Sequence, residues 1–286
     1  MNGESIVHQE YDLGGERSAE THYYHMERVI FSYAEDGTRT GVERYNLRLI
    51  IEPGNRSAGE ADKYTCAGFA LQKDDQPKVT IPALEGWSYN IVSGVEVDEQ
   101  GQMFGIPHVK FEGLTNSNDE MLEPITAYQI YDLFIGFRGF TAFAEPVKDL
   151  KRIGDKIIAS PPGESPINLG SNIAEGSTFK NDEITLEFKG LSVVGGAPCA
   201  VLHFYSGEGS FTFIFSPAPN MEVKTVGGTH YWGDIYLDLA SKWVKKAEVH
   251  VVDIIKATMG DQVLSTGAEL TINTIKAVPK AEFQVH

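Results

Sequence analysis

The chain has 286 residues, a formal net charge of −16 and a pI near 4.9. A surface this acidic repels phosphate backbones and anionic lipid headgroups, so the composition argues against nucleic-acid and membrane partners. The length, with an ordinary hydrophobic content of 42%, predicts one large β domain or two domains of moderate size.

Residues 1–20 are predicted to be a polar lead-in. They lack the basic start and the apolar core of a signal peptide. The most apolar stretch of the chain, from Ile125 to Phe143, is interrupted by Asp132 and Arg138, so it does not predict a membrane span. We therefore expect a cytoplasmic protein.

A first β module is predicted over residues 21–146. Alternating runs such as "THYYHMERVIFSYA" and "VERYNLRLII" are separated by turn signals, among them an Asp-Gly pair at residues 36 and 37. The module ends in an amphipathic helix of about three turns over Ile125–Phe137, where apolar residues recur every three or four positions. Gly136 and Gly139 weaken its continuation.

Residues 147–177 are predicted to be a linker region, with a boundary near Ser160. The segment "SPPGESPINLGSN" holds three prolines and two glycines, which is typical of a connection between domains. A second β module follows over residues 178–286. The fold class is therefore mainly β, with antiparallel barrel-like or sandwich modules, two in number, and one amphipathic helix between them.

The familiar catalytic and cofactor motifs are absent from the sequence. It has no phosphate-binding glycine loop, no GxSxG elbow, no HExxH pair and no EF-hand loop, so we predict no cofactor. Cys66 and Cys199 each stand in a strand-like run without a CxxC pair, which favours small core residues over nucleophiles.

The segment "GTHYWGDIYLDLASKW", residues 228–243, has an unusual second face. Read with period two, one face is a conventional core and the other mixes aromatic rings, carboxylates and an imidazole. The core face carries Tyr231, Gly233, Ile235, Leu237 and Leu239, and the mixed face carries His230, Trp232, Asp234, Tyr236 and Asp238. The aromatic members of the mixed face need a second, partly apolar environment.

Two registers are open for the hairpin that this strand forms with "WVKKAEVHVVDII". In one register, Trp232, Asp234 and Tyr236 face His250, Glu248 and Lys246. In the other, a slip of one residue puts Trp243, Lys245, Ala247 and Val249 opposite the mixed face.

The first register predicts acid/base chemistry in a barrel lumen. Burial and like charge would raise the pKa of Asp234 or Glu248, which gives a general acid beside a general base. His250 would serve as a base, and Tyr236 would donate to a developing oxyanion. The corresponding function is a cofactor-independent isomerase, cyclase or lyase acting on a small, largely apolar metabolite.

The remaining residues of the mixed face are predicted to bind the substrate. Trp232 would stack on it, and His230, Asp238 and Lys246 would complete the pocket. Two other functions fit the same residues: a non-catalytic β-barrel that binds a hydrophobic ligand, and an assembly protein whose mixed face is a contact in a homo-oligomer. An ordinary solvent face with cross-strand ion pairs is the simplest interpretation.

Two residues of the first predicted strand could contribute to a metal site. His25 and Glu27 share one face of it and would supply two ligands, with His108 or His203 as a third. The sequence does not show a set of three or four ligands, so no metal site is predicted.

Overall fold

The computed structural model describes residues 8–55, 58–92, 95–97, 113–141, 146–166, 176–218 and 221–283. Across these ranges the chain forms one fifteen-stranded sheet, whose paired strands are antiparallel, and two α-helices, one of them a single turn. This confirms the predicted class, mainly antiparallel β with one substantial helix between two strand-rich halves.

The strands are numbered in chain order. They are β1 (His22–Ala34), β2 (Arg39–Glu52), β3 (Asp62–Lys73), β4 (Val79–Thr80), β5 (Ser88–Val92), β6 (Val95–Val97), β7 (Lys156–Ser160), β8 (Gly163–Pro166), β9 (Thr178–Asn181), β10 (Ile184–Val194), β11 (Ala197–Ser206), β12 (Gly209–Ala218), β13 (Met221–Asp238), β14 (Val244–Met259) and β15 (Gln262–Val278). The helices are α1 (Pro124–Thr141) and α2 (Lys280–Phe283), and two 3-10 turns span Pro82–Leu84 and Pro146–Asp149.

The strand order joins the two halves of the chain. The main path runs β6-β5-β3-β2-β1-β15-β14-β13-β11-β10-β7, so strands from the beginning and the end of the described chain meet in its middle. The strand β13 has two partners on its other side: residues 232–238 pair with β11, and residues 221–229 pair with β12. The strands β12, β9 and β8 therefore branch away from β11 and β10.

One face of this sheet packs against α1, and we call it the inner face; the opposite side is the outer face. Phe134 and Phe137 of α1 are buried against rings of β1, β3 and β5, with Phe137 on Tyr24 and Tyr64. This packing explains why α1 extends to Thr141 although Gly136 and Gly139 lower helix propensity. Tertiary burial outweighs a propensity loss of about 1 kcal/mol per glycine.

The predicted lead-in and linker contain ordered structure in the described ranges. Leu13 is buried in the core, and the Tyr11 amide donates to the Lys151 carbonyl. The strands β7 and β8 lie inside residues 147–177. The domain boundaries at residues 20, 146 and 177 stay predictions.

The length and hydropathy of the helices bear on whether they could span a lipid bilayer. Within the described ranges, neither helix is both long enough and apolar enough to cross one.

Candidate ligand-binding site

The outer face of β13 and β14 carries most of the residues that the sequence predicted to form a site. The structure selects the first of the two registers and pairs Trp232 with His250, Asp234 with Glu248 and Tyr236 with Lys246. His230 follows on the same face, opposite Val252. Seven of the eight predicted residues therefore lie together on the outer face of two neighbouring strands.

The second environment of Trp232 is a stack of imidazole rings. Its ring lies 5.2 Å from His230 and 5.4 Å from His250, with interplanar angles of 27° and 15°. Tyr205 of β11 meets His230 edge-on at 5.4 Å. Offset aromatic stacking of this kind satisfies the apolar faces of a partly exposed ring without a lumen.

The charged members of the outer face pair with one another. His203 of β11 lies 2.9 Å from Asp234, and Glu248 lies 3.4 Å from both Lys246 and His250. The side chains of Asp234 and Glu248 are 46% and 43% exposed. Water therefore screens both carboxylates, and the arrangement matches a solvent face with one cross-strand pair, His203–Asp234, and two pairs within β14.

Asp238 has a different position from the other seven. The pairing shifts between Tyr236 and Leu237, and Asp238 is buried at the turn into β14. Its carboxylate accepts the amides of Ala240 and Ser241 and pairs with Lys245 at 3.3 Å. Burial opposes its ionisation, but these amides and the ammonium outweigh that effect and hold the pKa of Asp238 below its usual value. The structure therefore gives this carboxylate a turn-forming role.

The metal hypothesis is not supported by the placement of its residues. Glu27 and His203 share a row of the outer face, but three strands separate them, a span of roughly 19 Å at the usual strand spacing. His25 packs on Phe283 of α2. His108 lies outside the described residues, and within the described ranges no three His, Cys, Asp or Glu side chains form a group suited to a metal ion.

The inner face contains a ligand-sized space that combines apolar walls with charged groups. A partly open cavity of about 690 Å³ lies between α1 and the inner faces of β12 to β15. Aromatic side chains form much of its wall, and Tyr128 of α1 meets Phe213 of β12 edge-on at 6.1 Å. Apolar walls with a few polar groups are typical of small-molecule sites.

A row of four polar residues crosses the inner face here, and three of them line the cavity. The cross-strand pairs put Ser32, Glu269, Asp253 and Thr229 side by side on β1, β15, β14 and β13; we call these four the polar row. The hydroxyls of Ser32 and Thr229 lie close enough to the Glu269 and Asp253 side chains to lower the pKa values of these carboxyls. Two carboxyl groups therefore stand opposite each other at the centre, with a hydroxyl on either flank.

Burial raises the pKa values of both carboxyl groups of the polar row above their usual range. For Glu269, the negative charge of Asp253 adds to the effect, and the carboxylate of Asp132 adds to it for Asp253. The hydroxyls of Ser32 and Thr229, and the charge of Arg28 acting on Asp253, lower these pKa values but are smaller influences than burial. The cavity floor is thus a place where negative charge is incompletely solvated.

An ion pair connects α1 to the sheet at one side of the cavity. Arg28 of β1 is buried, donates to Asn273 Oδ1 at 2.8 Å and pairs with Asp132 of α1 at 2.7 Å. These charge-assisted bonds fix the helix over the inner face. They also commit the guanidinium to partners outside the polar row.

Sequence analysis missed this inner site, although the alternation contains a signal for it. The apolar face of β14 reads Val249, Val251, Asp253, Ile255, so a carboxylate interrupts a core-facing series. Arg28 interrupts the apolar series of β1 in the same way, and Glu269 stands beside Thr271 and Asn273 on the inward side of β15. Charged residues on the buried face of three neighbouring strands indicate a polar interior, since ionised side chains are almost never fully buried without partners.

Comparison with known proteins gives no family for the chain. No family model and no curated protein sequence matches it. Solved structures that resemble it include OmpT, an outer membrane protein of Vibrio cholerae (11% identity over 91% of this chain and 99% of that chain, TM-score 0.24). Others are OmpF of Salmonella typhi in complex with daunomycin (8%, 94% and 100%, TM-score 0.22) and a DUF1329 family protein of Desulfovibrio piger (7%, 94% and 91%, TM-score 0.18). At these TM-scores no location, ligand or activity is transferred to this chain.

The predicted isomerase, cyclase or lyase activity is wrong. It required a carboxylate in a closed pocket, whereas Asp234 and Glu248 stand on the exposed outer face with ionic partners. The catalytic roles of Asp234, Tyr236, Glu248 and His250 are withdrawn with the activity.

The predicted cytoplasmic location is contradicted as well. Nothing in the comparisons supports the cytoplasm, and the resemblances to outer membrane proteins transfer no location of their own at these TM-scores. The expectation of no membrane partner is not borne out for the same reason. Both predictions relied on acidic composition and a polar lead-in, which describe the exterior of a chain and not its compartment.

Proposed function

We propose that the protein is a non-catalytic binding protein for a small hydrophobic molecule, held in the cavity between α1 and the inner faces of β12 to β15. The observation that carries this proposal is the cavity itself. Its volume of about 690 Å³ falls within the range of roughly 300–1,000 Å³ that is usual for ligand sites.

The cavity walls favour an apolar ligand body. Phe179, Phe211 and Phe213 line it from β9 and β12, and Val249 and Val251 line it from β14. Burying about 200 Å² of ligand surface against such walls contributes roughly 5 kcal/mol before the entropy of association is subtracted.

A paired substitution on one strand tests the location of the site. Val251 faces the cavity and Val252 faces outward, so Val251→Trp fills the cavity and Val252→Trp adds the same ring to the outer face. Diphenylhexatriene, an uncharged hydrocarbon that fluoresces in apolar surroundings, is titrated into the native protein and both variants. We expect saturable binding to the native protein and to Val252→Trp, and at least a tenfold weaker affinity for Val251→Trp.

The result also separates this function from non-specific adsorption. If diphenylhexatriene does not bind, or if both tryptophan variants bind it equally well, the cavity is not a hydrophobic ligand site. Thermal unfolding of the two variants checks that each retains its fold before the affinities are compared.

A further inference from the structure

We infer that the ligand of this cavity carries a protonated amine on its apolar body, and that the amine binds between Asp253 and Glu269. The inference rests on the proposed function, because it specifies the ligand class of the same cavity. It makes these two residues the specificity determinants of the site.

The geometry of the polar row leaves a gap for a hydrogen-bond donor. Asp253 and Glu269 are directly paired across β14 and β15, so their Cβ atoms are roughly 5 Å apart. The hydroxyls of Thr229 and Ser32 occupy the two flanks. An ammonium group has three N–H donors, and two carboxylates facing one space can accept at least two of them.

The protein does not fill this gap with a cation of its own in the described ranges. No described Lys, Arg or His lies within ion-pair distance of Asp253 or Glu269. Arg28, the basic residue that also lines the cavity, is committed to Asp132 and Asn273. Like charges placed opposite each other on neighbouring strands destabilise a sheet, so a bound cation would relieve an existing repulsion.

An organic cation fits the surroundings better than a metal ion does. The described residues hold no cluster of three or more metal-binding side chains, so a metal would find too few protein ligands here. Tyr128, Phe213 and Tyr231 line the same cavity and offer apolar faces to the ligand body. A charged head at the polar row and a hydrophobic body along the aromatic wall together describe an amphiphilic amine.

Three compounds with one body test the charge preference. Decylamine, decanol and decanoate share an alkyl chain and differ in charge at pH 7. Each is used to displace diphenylhexatriene from the native protein. We expect decylamine to compete at least tenfold more strongly than decanol, and decanoate to be the weakest, because it adds a third carboxylate to the floor.

Two variants separate the polar row from the general acidity of the protein. Glu269→Gln removes one carboxylate of the row, and Glu248→Gln removes one from the outer face of β14. We expect Glu269→Gln to lower decylamine affinity by about tenfold while decanol and diphenylhexatriene bind as before. Glu248→Gln should leave all three affinities within about twofold.

The possible failures are distinguishable. If diphenylhexatriene binds but decylamine and decanol compete equally, the amine inference is overturned and the hydrophobic site stands. An amine preference that Glu248→Gln weakens as much as Glu269→Gln does would assign it to the overall charge and also overturn the inference. If no compound binds, both the site and its specificity are rejected.

Discussion

Arg28 on β1 and Asp132 on α1 form an ion pair of 2.7 Å whose two ends differ in exposure, 5% for Arg28 and 43% for Asp132. Asp132→Ala would leave a buried guanidinium with Asn273 as its close remaining acceptor. We expect the free energy of unfolding to fall by about 2 kcal/mol, less than for a fully buried pair because water reaches Asp132. Chemical denaturation measures it. Glu52→Ala, which breaks an exposed pair with Lys63 at 3.7 Å, should change stability by less than about 0.5 kcal/mol.

Gly233 and Gly228 of β13 differ sharply in the space around them. A Cβ at Gly233 would meet the Glu248 carbonyl oxygen at 2.2 Å and the Phe204 ring at 3.0 Å, whereas at Gly228 the nearest atom is 3.8 Å away. We expect Gly233→Ala to destabilise the protein by about 2–3 kcal/mol through overpacking. Gly228→Ala should be neutral or slightly stabilising, since alanine is the better strand residue. Thermal unfolding of the pair is decisive, and equal melting temperatures would contradict the close approach of β13 and β14.

The buried carboxylate of Asp238 is expected to matter for stability where its exposed neighbour Asp234 does not. Asp238→Ala removes the side-chain acceptor of two turn amides, and we expect the free energy of unfolding to fall by about 2 kcal/mol. Asp234→Ala removes a partner of His203 on the solvent face and should cost less than about 1 kcal/mol. Urea titrations of both variants compare the two. A larger loss of stability in Asp234→Ala than in Asp238→Ala would contradict this expectation.

The carboxyl pair of the polar row should make the protein less stable as pH rises. The folded-state pKa of Glu269 is raised, so between its ordinary value and the folded value the native state binds more protons than the unfolded chain. Stability therefore falls as pH rises through that window. Glu269→Gln removes this titration and should be more stable than the native protein at pH 7. The difference should vanish near pH 4.

Unfolding curves at the two pH values, with Glu248→Gln as the control, measure this difference. If Glu269→Gln were less stable than the native protein at pH 7, the carboxyl pair would be stabilising and the expected repulsion would be absent.

Hydrophobic alternation predicted the strands well because it depends on burial alone. The core face of β13 at Gly233, Ile235 and Leu237 lies where period two puts it, and the outer face at Trp232 and Asp234 lies opposite. The register was left open, because it depends on the turn at Asp238 and on the pairing shift after Tyr236. The turn and the pairing shift both depend on a few local hydrogen bonds, which the hydrophobic periodicity of a sequence does not predict.

The site could not be found in the same way, because it is formed by long-range pairing. Asp253 and Glu269 share a hairpin, but Ser32 reaches Glu269, and Arg28 reaches Asn273, only because β1 lies beside β15. A mixed aromatic and charged face at His230 and Trp232 attracted attention locally, yet its rings and charges satisfy one another on the surface. A mixture of aromatic and charged residues on one strand therefore indicated the site less well than charged residues on the core-facing side of several strands.

The pairing of β1 with β15 delays completion of the sheet while the chain is being synthesised. The Arg28–Asn273 hydrogen bond joins residues 245 positions apart, so the middle of the sheet closes late. Until β15 leaves the ribosome, β1 presents an unpaired strand edge on that side, and the floor of the cavity lacks Glu269. High contact order of this kind slows folding and prolongs the exposure of edges that aggregate. The edge of β1 is therefore an aggregation risk in the newly made chain until β15 can pair with it.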